Sequence, residues 1–280
     1  MSRERTDHIL ESAGHRLKAA WWGPPPASAP TLVLLHEGLG SLGLWRDFPA
    51  RVAAATGCGV LAWSRAGYGR SAPITLPRPL DYMQREAAHA VRPVLDAFAV
   101  RRCLLIGHSD GASIAALYAG TAHDARLAGL VLLAPHFVVE EVSIAGIAAA
   151  RERYLHGDLR ARLARHHDDV EGAFWGWNRA WLDPAFRAWD ITAEAARITV
   201  PTLLLQGLAD PYGTVAQAEI ARRCLPGPLE VMLLPGIGHT PQTEAAADTL
   251  AAITGFVGRV LSGTGADITG PPASATRPGD

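Results

Sequence analysis

Six short, almost uninterrupted apolar runs recur along the chain, separated by segments of helical spacing, and this rhythm restricts the fold more than any other feature. The runs are TLVLLHEG (Thr31 to Gly38), GVLAWS (Gly59 to Ser64), CLLIGHS (Cys103 to Ser109), LAGLVLLAP (Leu127 to Pro135), PTLLLQG (Pro201 to Gly207) and LEVMLLPG (Leu229 to Gly236). A strand that is apolar on both sides must be covered on both faces. The intervening helical segments are Trp45 to Ala55, Tyr82 to Phe98, Ser109 to Gly120, Thr214 to Cys224 and Glu244 to Leu261. Strand and helix alternate, which builds βαβ units and a parallel sheet with helices on its faces. Two more short strands are expected around Gly14, between Ile9 and Trp22, before PPPASAP interrupts regular structure. The expected fold class is therefore α/β, with a mostly parallel eight-stranded sheet flanked by helices.

The alternation stops from about His136 to Arg197, where no strand pattern separates two core strands. A helical cap inserted at 136–197 is expected, leaving residues 8–135 and 198–261 as the core. The insertion holds Phe174, Trp175, Trp177, Trp181, Phe186 and Trp189, including four of the eight tryptophans. These rings serve either as the lining of an apolar pocket or as the insertion's own core. Residues 262–280 lose periodicity and are rich in Gly, Pro, Ser and Thr, so a disordered tail is expected there.

Twenty-six basic against 27 acidic residues produce no field that would gather nucleic acid or an anionic membrane surface. No apolar run approaches the roughly 18 residues needed to span a bilayer. Cys58, Cys103 and Cys224 are scattered among apolar neighbours, as buried thiols in a reducing compartment are. A cytoplasmic protein that binds neither nucleic acid nor membrane is expected, and the sequence carries no signal for oligomeric state. The run His166-His167-Asp168-Asp169 is read as a solvated surface, because consecutive helical residues point in different directions and cannot share a metal.

Chemistry enters at Gly107-His108-Ser109-Asp110-Gly111, which follows the apolar CLLI and precedes the helix-compatible ASIAALYAG. A serine on a tight strand-to-helix turn is exposed as a nucleophile, the flanking glycines admit nearby backbone, and the helix start supplies amide donors. A serine hydroxyl needs a base, and the base needs an orienting acid. His239 in GIGHTPQTE and Asp210 in QGLADPYG lie in loops directly after strands, at the sheet edge where α/β proteins bind ligands. His108 and His136 also lie near strand ends and remain alternatives among the eleven histidines. By position, the amides of Gly38 and Asp110 would hold an oxyanion.

LLHEGLGS, SRAGYGRS, GHSDGAS, GLADPYG and GHTPQ, in this order, resemble the motifs of the α/β-hydrolase superfamily over roughly residues 8 to 261. The chain is similar to its small bacterial esterases, enol-lactonases and meta-cleavage C–C hydrolases. The resemblance implies a serine hydrolase that needs no cofactor or metal, with Ser109, Asp210 and His239 as its triad. The expected substrate is a small carboxylic ester, with lactone or C–C hydrolysis as the alternative and a non-catalytic ligand receptor as the remote one. Superfamily members that open epoxides or remove halides carry aspartate as nucleophile, and Ser109 argues against both. Glu37 departs from the pattern by standing where this loop usually has glycine. Asp110 is either a carboxylate stabilised by the helix start or, as the Ser-Asp pair of valacyclovirase-like amino-acid esterases implies, a partner for a cationic or donor group on the substrate. Glu37, Leu39, His136, Trp175, Trp177 and Trp181 are the candidate pocket residues.

Overall fold

The computed structural model describes residues 5–263. Eight strands, β1 (Thr6–Ser12), β2 (His15–Trp22), β3 (Thr31–Leu35), β4 (Gly59–Trp63), β5 (Cys103–His108), β6 (Leu127–Leu133), β7 (Thr202–Gly207) and β8 (Leu229–Leu234), form one sheet in the order β1-β2-β4-β3-β5-β6-β7-β8. The first two pair antiparallel around the Gly14 turn, β2 pairs antiparallel with β4, and the remaining pairs are parallel.

The helices are α1 (Phe48–Thr56), α2 (Tyr82–His89), α3 (Val91–Ala97), α4 (Asp110–Thr121), α5 (Glu141–His156), α6 (Leu159–Leu163), α7 (Val170–Leu182), α8 (Thr192–Ala195), α9 (Val215–Cys224), α10 (Pro241–Glu244) and α11 (Ala246–Ser262). The single helix expected over Tyr82 to Phe98 is two, parted at Ala90. Pro93 explains the break: its ring clashes with the carbonyl four residues back, at His89, and it has no N–H to bond that carbonyl.

Strand period 2 sorts the core into two layers. Val33, Leu35, Leu61, Trp63, Leu105 and Leu132 face α2, α3 and α4. Leu32, Leu34, Val60, Ala62, Ile106 and Val131 face α1 and α11. Between β6 and β7 the chain leaves the sheet for α5 to α8, and its strand-like contact there is one bridge, Val138 to Asp190. Helix α11 continues to Ser262 and closes on Gly263, so the first two residues of the expected tail belong to the helix and its cap, while residues 264–280 of that expectation lie outside the described residues.

From β3 the chain builds β4 on one side and β5 on the other. The loops after β3 and β5 therefore diverge, opening the crevice characteristic of parallel sheets at such a reversal. Helix α4 starts against this crevice with almost no clearance. A Cβ on Gly107 would lie 2.3 Å from the Gly111 oxygen, and one on Gly111 would lie 2.0 Å from the Leu35 oxygen. Gly107→Ala is therefore expected to cost about 1–3 kcal/mol, the usual range for overpacking, measured as a lower urea midpoint at unchanged slope.

Candidate active site

Ser109 joins β5 to α4 with φ 53° and ψ −120°, a conformation that non-glycine residues rarely adopt and that stores roughly 1–3 kcal/mol of strain. The turn sets the serine at the mouth of the helix. Ala112 and Ser113 direct their amides to the Ser109 carbonyl, while the Asp110 amide has no acceptor among the described residues. The Gly38 amide is also unengaged among the described residues. Gly38 must lack a side chain, since a Cβ there would lie 2.2 Å from Trp177 Nε1.

His239 follows β8, and its Nδ1 donates to Asp210 Oδ2 at 2.8 Å. Asp210 follows β7, is buried, and also accepts from Gln206 Nε2 at 3.0 Å and the Tyr212 amide at 2.8 Å. Burial pushes this carboxyl up, but the His239 hydrogen bond and charge, with the other two donors, hold it below its ordinary value. With Nδ1 committed to Asp210, the Nε2 of His239 is left for the cavity. Neither that nitrogen nor Ser109 Oγ has a protein hydrogen-bond partner among the described residues.

Ser109, Asp110 and His239 line one cavity of about 140 Å³ with Glu37, Gly38, Leu39, His136, Ser143, Ile147, Trp177, Trp181 and Tyr212. A larger opening of about 610 Å³ lies between the β1–β2 turn and α2 and includes neither Ser109 nor His239. The smaller cavity is the candidate site.

Trp175 is not in it. Residues 175 and 177 point to opposite sides of α7, whereas 177 and 181 share a face. Trp175 instead donates to Glu171 on the outer side and lies under Arg179. His167 also departs from expectation: it is buried rather than solvated, its Nδ1 accepts from the Gly69 amide at 2.9 Å, and its Nε2 donates to the Leu39 carbonyl at 3.0 Å. The insertion is thereby tied to the loop after β3.

Sequence reasoning missed Tyr82, whose hydroxyl donates to Asp110 Oδ2 and accepts from Trp181 Nε1 at 3.0 Å. No local pattern connects the start of α2 to the elbow. Tyr212 was within reach, being two residues beyond Asp210, and its ring sits 4.8 Å from that of His239. Asp110 is fully buried, and burial raises its pKa against the opposing pull of Arg65, Tyr82 and Arg78. Its Oδ1 has no hydrogen-bond partner among the described residues.

Of the alternative bases, His108 has both ring nitrogens occupied by protein groups, and His136 has no carboxylate partner among the described residues. Burial and the nearby His239 hold His136 down at about 3. Native His136 thus stays neutral where the unfolded chain takes up a proton, near pH 6.5. Unfolding then binds a proton, so acid destabilises the protein across this window. His136→Gln is expected to flatten the fall of unfolding free energy between about pH 6 and pH 4 by roughly 1.4 kcal/mol per pH unit, read from urea titrations. An unchanged slope would contradict a neutral, buried His136.

Residues 32–253 match the family model described as alpha/beta hydrolase family. RutD of Variovorax paradoxus, which carries the name of a carbamate hydrolase, is 30% identical over 270 residues, covering 85% of this chain and 94% of that one. Epoxide hydrolase B of Mycobacterium tuberculosis is 35% identical over 124 residues, but the match spans only 33% of that protein and 44% of this chain. Among solved structures, the 2-hydroxy-6-oxo-6-phenylhexa-2,4-dienoate hydrolase of Rhodococcus sp. strain RHA1 superposes with a TM-score of 0.74 at 15% identity. That superposition covers 91% of this chain and 99% of the other, and it shows the shared fold. No helix among the described residues is long and apolar enough to cross a membrane. By its sheet, its strained serine turn and the family match across most of its length, this chain belongs to the alpha/beta hydrolase family.

Proposed function

We propose that the chain is a serine hydrolase that cleaves a small carboxylic ester through an acyl-enzyme. The observation that carries this reading is one cavity holding a strained, helix-capping Ser109 and a histidine whose far nitrogen is held by a buried carboxylate. His239 Nε2 takes the Ser109 proton as Oγ attacks the carbonyl carbon. The oxyanion that forms is received by the amides of Gly38 and Asp110. His239 then protonates the leaving alkoxide, and the acyl-enzyme is released by water activated on the same nitrogen. Besides the substrate and one water, these steps use only groups of this chain.

The cavity wall narrows the substrate. Its volume of about 140 Å³ admits a small acyl or alcohol part. Its ionisable lining comprises two carboxylates, Glu37 and Asp110, with histidines and Tyr212, and no arginine or lysine. That lining offers no cation to hold a carboxylate-bearing substrate, which favours the ester over a dienoate cleaved at a C–C bond. Trp177, Trp181 and the orphaned Asp110 Oδ1 suit a substrate with an ammonium or other donor near the reacting carbonyl.

A fluorophosphonate probe is expected to label wild type stoichiometrically at Ser109. Ser109→Ala should lose labelling and turnover while melting as wild type does. Full activity in the folded variant would overturn the mechanism. For specificity, an α-amino ester and an uncharged ester of the same shape are compared in wild type and Asp110→Asn. The charged ester is expected to lose roughly 10-fold to 150-fold more kcat/KM, the worth of one charge-assisted hydrogen bond. Equal losses would return Asp110 to a purely structural role beneath Tyr82.

A further inference from the structure

We infer that Glu37 and His108 form a positioning dyad that fixes the base loop against the loop of the oxyanion donor. This inference rests on the assignment of Ser109 and His239 above. Glu37 poses a problem for that assignment: it is a carboxylate beside Gly38, whose amide is to receive negative charge. A bare anion there would oppose the transition state.

The structure supplies its counterpart. His108, fully buried, directs Nε2 to the carbonyl oxygen of His239 at 2.7 Å. A carbonyl only accepts, so the Nε2 proton is fixed and Nδ1 faces the other way. There it meets Glu37 Oε2 at 3.3 Å, and the Gln242 side-chain amide lies at 3.1 Å; with Nδ1 donating to Glu37, it is the Gln242 amide oxygen, otherwise without a partner among the described residues, that faces the ring. One imidazole therefore touches three chain segments: the loop after β3 through Glu37, the serine turn through its own backbone, and the base loop through His239 and Gln242.

The charges agree with this arrangement. Burial opposes ionisation of Glu37, but the hydrogen bond and charge of His108 hold it down at about 2. Burial likewise opposes protonation of His108, yet Glu37, the His239 carbonyl and Asp210 raise it. Each group thus favours the charged form of the other, which offsets the Glu37 charge beside the oxyanion position. The groups facing His108 are Glu37, Gln242, Asp210, the His239 ring at 5.1 Å between centroids and the Trp45 ring at 6.5 Å.

The dyad touches no reacting atom. It holds the peptide carbonyl of the residue that carries the base, and displacements of about 1 Å at such a point cost rate rather than affinity. Glu37→Ala is expected to lower kcat at least 10-fold with KM within about twofold, and Glu37→Gln, which can still bond Nδ1, to recover part of the loss. His108→Phe combined with Glu37→Ala should be no slower than the worse single variant, since the two act through one contact. A second measurement needs no turnover: in Ser109→Ala protein, the NMR titration of the His108 ring should fall by about one pH unit or more when Glu37 becomes Gln.

A wild-type kcat in Glu37→Ala, a loss confined to KM, additive losses, or a His108 titration indifferent to Glu37 would each overturn the dyad. Turnover persisting in Ser109→Ala would instead overturn the serine-hydrolase reading and leave the NMR result standing on its own.

Discussion

The close seating of α4 on the ends of β3 and β5 is the constraint from which the rest of the site follows. Gly107 and Gly111 allow the helix to begin within contact distance of strand backbone, and that proximity holds Ser109 in a conformation it would not choose alone. Because the strain is carried by packed backbone on both sides, the serine cannot relax without lifting α4. Ten of the twelve residues of α4 are buried, so lifting it would expose much of the layer under α2 and α8. Rigidity at Ser109 is thus a property of the core as much as of the turn.

Around that fixed point stand three carboxylates, Asp110 and Asp210 buried and Glu37 half-buried. Each carboxylate meets the cost of desolvation differently. Asp210 is satisfied by His239, Gln206 and the Tyr212 amide. Glu37 is matched by His108. Asp110 is only half satisfied, by Tyr82, and keeps one oxygen without a partner among the described residues. Arg65, buried behind the loop after β3, donates to the carbonyls of His36 and Glu37 and holds that loop from below. His167 holds the neighbouring Leu39 carbonyl from the side of the insertion. The loop expected to receive the oxyanion is therefore braced from three directions, as electrostatic preorganisation requires.

The strand and helix order, the two-faced burial of the central strands and the placement of Ser109, Asp210 and His239 at strand ends were all legible in the sequence. Local periodicity and turn residues encode them, because each depends on neighbours a few positions away. Pro93 could have signalled the break between α2 and α3 by the same logic. The serine turn was readable because its glycines are demanded by backbone approach at fixed offsets from the serine.

What only the tertiary structure decided are the contacts between segments far apart in the chain. The sequence favours His239 as base by its place in the chain, but only the fold sets it on Asp210 while giving His108 to Glu37 and leaving His136 without a carboxylate among the described residues. Trp175 and Trp177 are indistinguishable by composition, yet the rotation of α7 turns one outward and the other over Gly38. His167 reads as surface and Tyr82 as an ordinary helix start, until Gly69, Leu39, Asp110 and Trp181 are brought to them. The sequence by itself determined the frame and where its loops emerge, since those obey short-range rules of period and turn. Which side chains meet across the crevice depends on how the helices dock, and docking is a sum over the whole core that no local pattern contains.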